Sequence, residues 1–207
     1  MLLRLLTTEE PTHVAVAFDL PGGTFRTEQL PSYKGTRSPI PPEFEPQIGM
    51  AEQVLAELRI HAVSKPNYEA DDVIATLTTQ ATRAGWQVLV ASGDRDTLQL
   101  VTDDVTVLYP IRGVSQMVRM TPEEVTTRYG VPPANYPDLA ALVGETSDNL
   151  PGVPGVGPKT AAKWLNQYGS LDVLLAEADV VKGKVGENLR NNLEQVRLNR
   201  QINQLVT

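Results

Sequence analysis

Three short apolar runs limit what this chain can become. HVAVAF (residues 13–18) ends in Asp19, WQVLVAS (86–92) runs into GDRD, and VTVLYP (105–110) is the third. Runs of this length, rich in β-branched residues, read as strands. Helical patterns lie between them. In PPEFEPQIGMAEQVLAELRI, Ile48, Val54, Leu55 and Leu58 fall at helical spacing; in EADDVIATLTTQATRAG, Val73, Ile74, Leu77 and Ala81 share a face, and Gly85 supplies a stop. Apolar strands alternating with helices predict an α/β fold, with a mostly parallel sheet flanked by helices on both faces. Thr121, Pro122 and Glu124 form a capping-box signature with proline at the first helical position. From Leu139 the pattern is helical only, which divides the chain into an α/β core over 1–138 and a helical region over 139–207. Residues 22–46 hold many prolines and glycines with Arg26, Lys34 and Arg37, and read as a long, mobile, basic loop.

Ligands of an open α/β sheet bind beyond the carboxyl ends of its strands. Asp19 follows the first run, and Asp94 and Asp96 follow the second. YEADDVIATL opens a helix with Glu69, Asp71 and Asp72, and GETSDN adds Glu145 and Asp148 at a turn between helices. Singly, each has an ordinary explanation: acids cap helix starts, Asp94 suits a turn, Asp96 an N-cap, and Asp148 a loop. Gathered at one sheet edge, eight carboxylates repel one another unless a cation lies between them. The chain has no cysteine, which excludes thiolate sites and disulfides and makes a reducing cytosol the expected compartment. Hard oxygen donors suit Mg²⁺ or Mn²⁺ rather than zinc. Two such ions roughly 3.5–4 Å apart form the clamp used in phosphodiester chemistry. The net charge of -7 argues against nucleic acid, but setting these eight acids aside leaves 17 against 18 Lys and Arg. A local basic face is therefore compatible with the acidic total.

LPGVPGVGPKTAAKWL (150–165) is the second constellation. Small residues let its turn approach a ligand, the following helix offers free N–H groups to an anion, and Lys159 and Lys163 lie one turn apart. Three readings stand. A clamp on the phosphate backbone needs only these features. A nucleotide-binding GxxxxGK[ST] loop is nearly spelled by Gly152, Gly157, Lys159 and Thr160, but Pro158 intrudes and no strand precedes it. A helix–turn–helix corner used only for packing is the third. The opening MLLRLL is broken by Arg4 and is too short for a membrane span or a signal peptide, so it reads as the tail end of a helix, and no membrane partner is expected.

YEADD, SGDRDTLQLV, SDNLPGVPGVGPKTA and the upstream AFD…TFR…YKGTR together resemble the 5′-nuclease (flap endonuclease) domain of bacterial DNA polymerase I and its stand-alone relatives. The motifs stand in family order from the first residues to about Val206. The resemblance implies a PIN-like α/β nuclease core, a flexible arch at about 22–46 and a helix-hairpin-helix element that grips duplex DNA. It implies divalent-metal-dependent 5′-3′ exonuclease and 5′-flap endonuclease activity on branched or nicked DNA in replication and repair. It also implies a monomer in the bacterial cytoplasm, at the nucleoid, joined to a polymerase domain in the full-length protein. Residue by residue, Asp19, Glu69 and Asp71 resemble ligands of a first, catalytic metal, with Asp72 close by. Asp94, Asp96, Glu145 and Asp148 resemble the group around the second. Lys34 and Arg37 match the arch residues that engage the scissile phosphate. Gly152, Gly155, Gly157, Lys159, Thr160 and Lys163 match the DNA-binding hairpin, where a monovalent cation is also implied.

Some positions depart from the family pattern. The family opens with a strand ending in Asp-Gly, whose Asp binds the catalytic metal, and nothing upstream of MLLRLLTTEE supplies it here. Glu145 stands where Asp is usual, and Pro158 where Glu is frequent. The chain is therefore expected to start partway into the family's first helix and to stop early in its last. The alternative that follows is a catalytically weak or inactive DNA-binding fragment or relative.

Overall fold

The computed structural model describes residues 1–111, 113 and 116–207, with the backbone alone for Glu45. The chain opens with α1 (Leu2–Glu9), so MLLRLL is helical, and Glu9 pairs with Arg119 across to a later strand. Strand β1 (Ala15–Ala17) follows, then α2 (Phe25–Gln29) and α3 (Glu45–Glu57). Strand β2 (His61–Val63) leads into α4 (Ala70–Arg83), which ends at Gly85, whose φ of +81° suits glycine. Strands β3 (Val88–Ala91), β4 (Val105–Pro110) and β5 (Met117–Met120) precede α5 (Pro122–Tyr129) and α6 (Tyr136–Val143). A small hairpin of β6 (Gly144–Glu145) and β7 (Leu150–Pro151) then leads into α7 (Pro158–Tyr168), α8 (Leu171–Ala176), α9 (Gly183–Asn191) and α10 (Leu193–Asn203). No described helix is long and apolar enough to cross a membrane.

The α/β class holds, but the described strands form separate small sheets rather than one. Strand β1 runs parallel to β2, with Ala15 opposite His61 and Ala17 opposite Val63. Strand β3 runs parallel to β4, with Val88 opposite Val105, and β5 closes that sheet antiparallel, with Val107 opposite Met120. Strand β2 escapes sequence reading because His61 interrupts its short apolar run. The expected face of α3 is only partly used: Leu55 is buried, whereas Val54 and Leu58 are exposed. At α5, Thr121 accepts the Glu124 N–H as the motif predicts, but the Glu124 carboxylate turns to Arg128 instead of back to Thr121.

One buried apolar cluster runs from Val90, Leu98 and Val107 through Leu139 and Leu142 to Trp164, Leu174, Leu189 and Val196. It ties the β3–β4–β5 sheet to the C-terminal helices. Helix α6 is buried from Tyr136 to Leu142, so it is the shared wall between them. A second, smaller cluster joins Tyr33 to Leu150 and Ile202. Within residues 22–46, expected as a mobile loop, burial of the Tyr33 ring gives the first half a hydrophobic contact with the C-terminal region.

Candidate active site

Strand β3 ends at a turn in which Asp94 caps a 3-10 helix (Arg95–Leu100) by accepting the Asp96 N–H at 2.9 Å. That turn points Asp96 inward, where it is 8% exposed. The β6–β7 hairpin brings Glu145 and Asp148 to the same place, and one carboxylate oxygen from each of Asp96, Glu145 and Asp148 lies within 4.8 Å of the others. Oδ1 of Asp96 and Oε2 of Glu145 are buried without a hydrogen-bond partner. Burial, then Asp148 and Asp94, push Glu145 up to about 7. Burial, then Glu145 and Asp94, also hold Asp96 well above the usual carboxylate range. Buried polar atoms are normally paired, so this trio has the chemistry of a cation site of hard oxygen donors.

The other acids gather at the start of α4. Glu69 is its N-cap residue, with extended backbone. Asp19, beyond β1, accepts the Ala70 N–H at 2.7 Å. Asp71 is pushed up to about 7 by burial and by Asp94, with Asp19 and Glu69 adding to this and Lys34 opposing it. The capping and metal readings of YEADD thus divide among its acids. Glu69 and Asp72 form a capping box at the helix start, Asp19 joins them there from beyond β1, and Asp71 faces the other carboxylates.

Asp72 lies elsewhere. Expected beside the metals, it is 1% exposed and held bidentate by Arg26, at 2.6 and 2.8 Å. It also accepts the Glu69 and Val206 N–H groups at 3.1 and 3.0 Å. Burial alone would raise its pKa, but Arg26 and the backbone donors outweigh burial and lower it. A carboxylate so fully occupied has no oxygen to offer an ion. Arg26, itself 2% exposed, also donates to Ile202 O and Gln204 O, fastening α2, α4 and the C-terminal segment together. Sequence reading assigns Arg26 no such role, because its partners lie 46 and 176 positions away.

The two arch cations rest on the acids. Lys34 Nζ is 2.9 Å from Glu69 Oε1, and Arg37 Nη2 is 2.6 Å from Asp148 Oδ1. The turn that carries them docks on the β6–β7 hairpin: Lys34 N–H donates to Asp148 O, and Asn149 Nδ2 donates to Ser32 O. Lys34 adopts a φ of +55°, a left-handed conformation that costs a non-glycine residue about 1 kcal/mol. The Tyr33 hydroxyl sits 3.3 Å from both Glu69 Oε2 and Asp148 Oδ2, so its one proton is shared between the two acid groups. Tyr33 is a further site residue, and its only sequence signal is its place before Lys34.

The hairpin glycines differ in what they do. A Cβ on Gly152 would stand 1.9 Å from Val143 O, so this glycine is required for packing. Gly155 has a φ of +80°. Gly157 has neither constraint: a Cβ there would meet nothing within 4 Å. Val153 and Val156 anchor the loop in the core, and Asn188 Nδ2 holds Pro154 O at 2.7 Å. Thr160 is half-buried, and Lys159 and Lys163 are exposed on α7.

Residues 1–130 match the model of the 5′-3′ exonuclease N-terminal resolvase-like domain, and residues 131–207 that of the 5′-3′ exonuclease C-terminal SAM fold. Among curated proteins, DNA polymerase I of Mycobacterium bovis is 56% identical over 206 residues, covering 100% of this chain and 23% of that protein. DNA polymerase I of Bacillus caldotenax is 44% identical, covering 98% of this chain and 23% of the relative. The chain thus spans about a quarter of the length of these relatives. Among solved structures, T5 5′-exonuclease with bound zinc superposes with a TM-score of 0.81 at 22% identity, covering 99% of this chain and 78% of that one. The catalytic core of Rad2 in complex with DNA substrate gives 0.57 at 16% identity, covering 90% and 62%. These two show a shared fold. With both of its domain models matched end to end, the chain belongs to the 5′-3′ exonuclease family.

Proposed function

We propose that this chain is a divalent-metal-dependent 5′ nuclease acting on branched, 5′-flap or nicked DNA in replication and repair, as one domain of a longer polymerase-I-type protein. The observation that supports it most is the buried Asp96, Glu145 and Asp148 trio with two unpartnered oxygens, beside Asp19, Glu69 and Asp71. Mg²⁺ or Mn²⁺ fits this donor set; Asp96, Glu145 and Asp148, with Asp94 alongside, would hold one ion, and Asp19, Glu69 and Asp71 the other. When bound, such ions supply an activated water and charge stabilisation at the phosphodiester.

The chain's own residues supply the rest. Lys34 and Arg37 lie against the acids and turn to a substrate phosphate once a cation takes over their carboxylate partners, adding positive charge where negative charge develops. Tyr33 holds Glu69 and Asp148 in register. The exposed Lys159 and Lys163, with the unobstructed Gly157, present a basic edge to the duplex backbone at a distance from the chemistry. Incubation of the chain with a 5′-labelled flap duplex tests this proposal. Short labelled products in Mg²⁺ or Mn²⁺, abolished by chelator, are expected. Absence of any product at excess protein overturns it, and flap binding without cleavage would identify a DNA-binding domain instead.

A further inference from the structure

The cations around the acid cleft do not all behave alike. Lys34 pairs with Glu69, Arg37 with Asp148, and Arg26 with Asp72. Arg95 lies between Asp94 and Asp96 in sequence, yet it makes no ion pair among the described residues. Its side chain is exposed, and its Nε donates instead to the Tyr109 hydroxyl, 3.4 Å away at the end of β4. The cause is local. The Asp94 cap turns Asp94 and Asp96 toward the cleft, so the residue between them is directed outward. Tyr129 and Tyr136, packed edge to face at 5.1 Å, stand close to the same guanidinium. Glu145 feels the positive charge of both Arg95 and Lys34, so Arg95 lies near the acid cleft. The acid cleft thus has paired cations in Lys34 and Arg37 and, near Glu145, a guanidinium with no carboxylate partner among the described residues.

A guanidinium beside excess carboxylate gains by pairing with it. Holding this one on a neutral phenol keeps its fork of donors available, and that fork matches a phosphate. We propose that Arg95 binds a phosphate of the DNA strand beside the acid cleft, separately from Lys34 and Arg37, with Tyr109 keeping the guanidinium in position. The strand then crosses the acids held at two separate phosphates. This rests on the nuclease reading. The competing account is a solvated arginine that only packs against tyrosines.

Equilibrium binding of a fluorescent 5′-flap duplex to the full chain, in Ca²⁺ across a salt series, separates these accounts. Arg95→Ala is expected to weaken binding about 5- to 10-fold and to flatten the slope of log K against log salt by about one unit. Arg95→Lys keeps the slope while losing part of the affinity, because the charge stays and the fork is lost. Tyr109→Phe does the same by loosening the guanidinium. Arg95 is exposed, and thermal melting verifies that its substitution leaves the fold intact. Unchanged affinity and slope for Arg95→Ala overturn the inference while leaving the nuclease reading standing. No flap binding by the unsubstituted chain overturns both.

Discussion

The two acid groups of the cleft are built on opposite principles. The group at the start of α4 is served by the chain itself. Glu69 has Lys34 and the Tyr33 hydroxyl, Asp19 has the Ala70 N–H, and behind them Asp72 is locked by Arg26. The group at the β6–β7 hairpin is served at Asp148 alone, by Arg37 and Tyr33, while Asp96 and Glu145 keep buried oxygens without partners. In the first group Glu69 and Asp19 are positioned by the fold whether or not an ion is present, and Asp71 alone is pushed up by burial and by Asp94. The second carries repulsion that only protons or a cation relieve. Glu69, Asp19 and Asp72 are thus held by partners in the fold, whereas Asp71 shares with Asp96 and Glu145 a repulsion that the fold leaves in place.

The sharpest way to break that contrast is to remove one charge from each side. Arg26→Ala strands a buried carboxylate and is expected to cost about 3–5 kcal/mol of folding stability. Asp96→Asn in metal-free protein is expected to be neutral or stabilising, because it removes repulsion. Denaturant unfolding of both variants measures the difference, and equal losses would erase the distinction.

The next effect is on pH. Asp71 and Glu145 are pushed up to about 7 in the folded protein, above their ordinary 3.8 and 4.5. Between those values the folded state binds more protons than the unfolded state, so stability falls as pH rises toward 7. Metal-free protein should therefore melt at a lower temperature at pH 8 than at pH 5. The loss is on the order of 1–3 kcal/mol after allowing for solvent screening. Asp71→Asn with Glu145→Gln should flatten this dependence, and saturating Mn²⁺ should reverse it. A melting temperature that rises with pH in the unsubstituted, metal-free protein would contradict the account.

Smaller effects refine the picture. Lys34→Ala should slow flap cleavage yet tighten Mn²⁺ binding a few-fold, about 1 kcal/mol or less, because it removes a cation that competes for Glu69. Calorimetry beside a cleavage assay reads both. At the hairpin, Gly152→Ala should disrupt folding, since its Cβ would stand 1.9 Å from a carbonyl oxygen. Gly157→Ala should leave melting unchanged and weaken only duplex binding.

Those glycines also show what was legible in the sequence. GVPGVG marks a tight turn, but it does not reveal that Gly152 answers to packing and Gly157 to open space. Strands β1, β3 and β4 are legible because each lies within a longer continuous apolar run; β2 and β5 are not, because His61 and Arg119 interrupt theirs. The gathering of Asp96, Glu145 and Asp148 follows the expectation that acids beyond strand ends meet at one edge, but Asp72 does not join them. That division is not legible. Asp71 and Asp72 are neighbours on a helix, about 100° apart around its axis, so one faces the cleft and the other Arg26. The arch reads as mobile from its prolines and glycines, whereas the burial of Tyr33 and Arg26 depends on residues more than a hundred positions away.

The central claim is that Asp96, Glu145 and Asp148 hold a divalent ion. Crystals of the chain at pH 8, soaked in Mn²⁺ and measured at the manganese absorption edge, test it directly. The account predicts an anomalous peak between the three carboxylates, at about 2.1 Å from an oxygen of each. A map at saturating Mn²⁺ with no peak there, and with Asp96 and Glu145 still unpartnered, would contradict it.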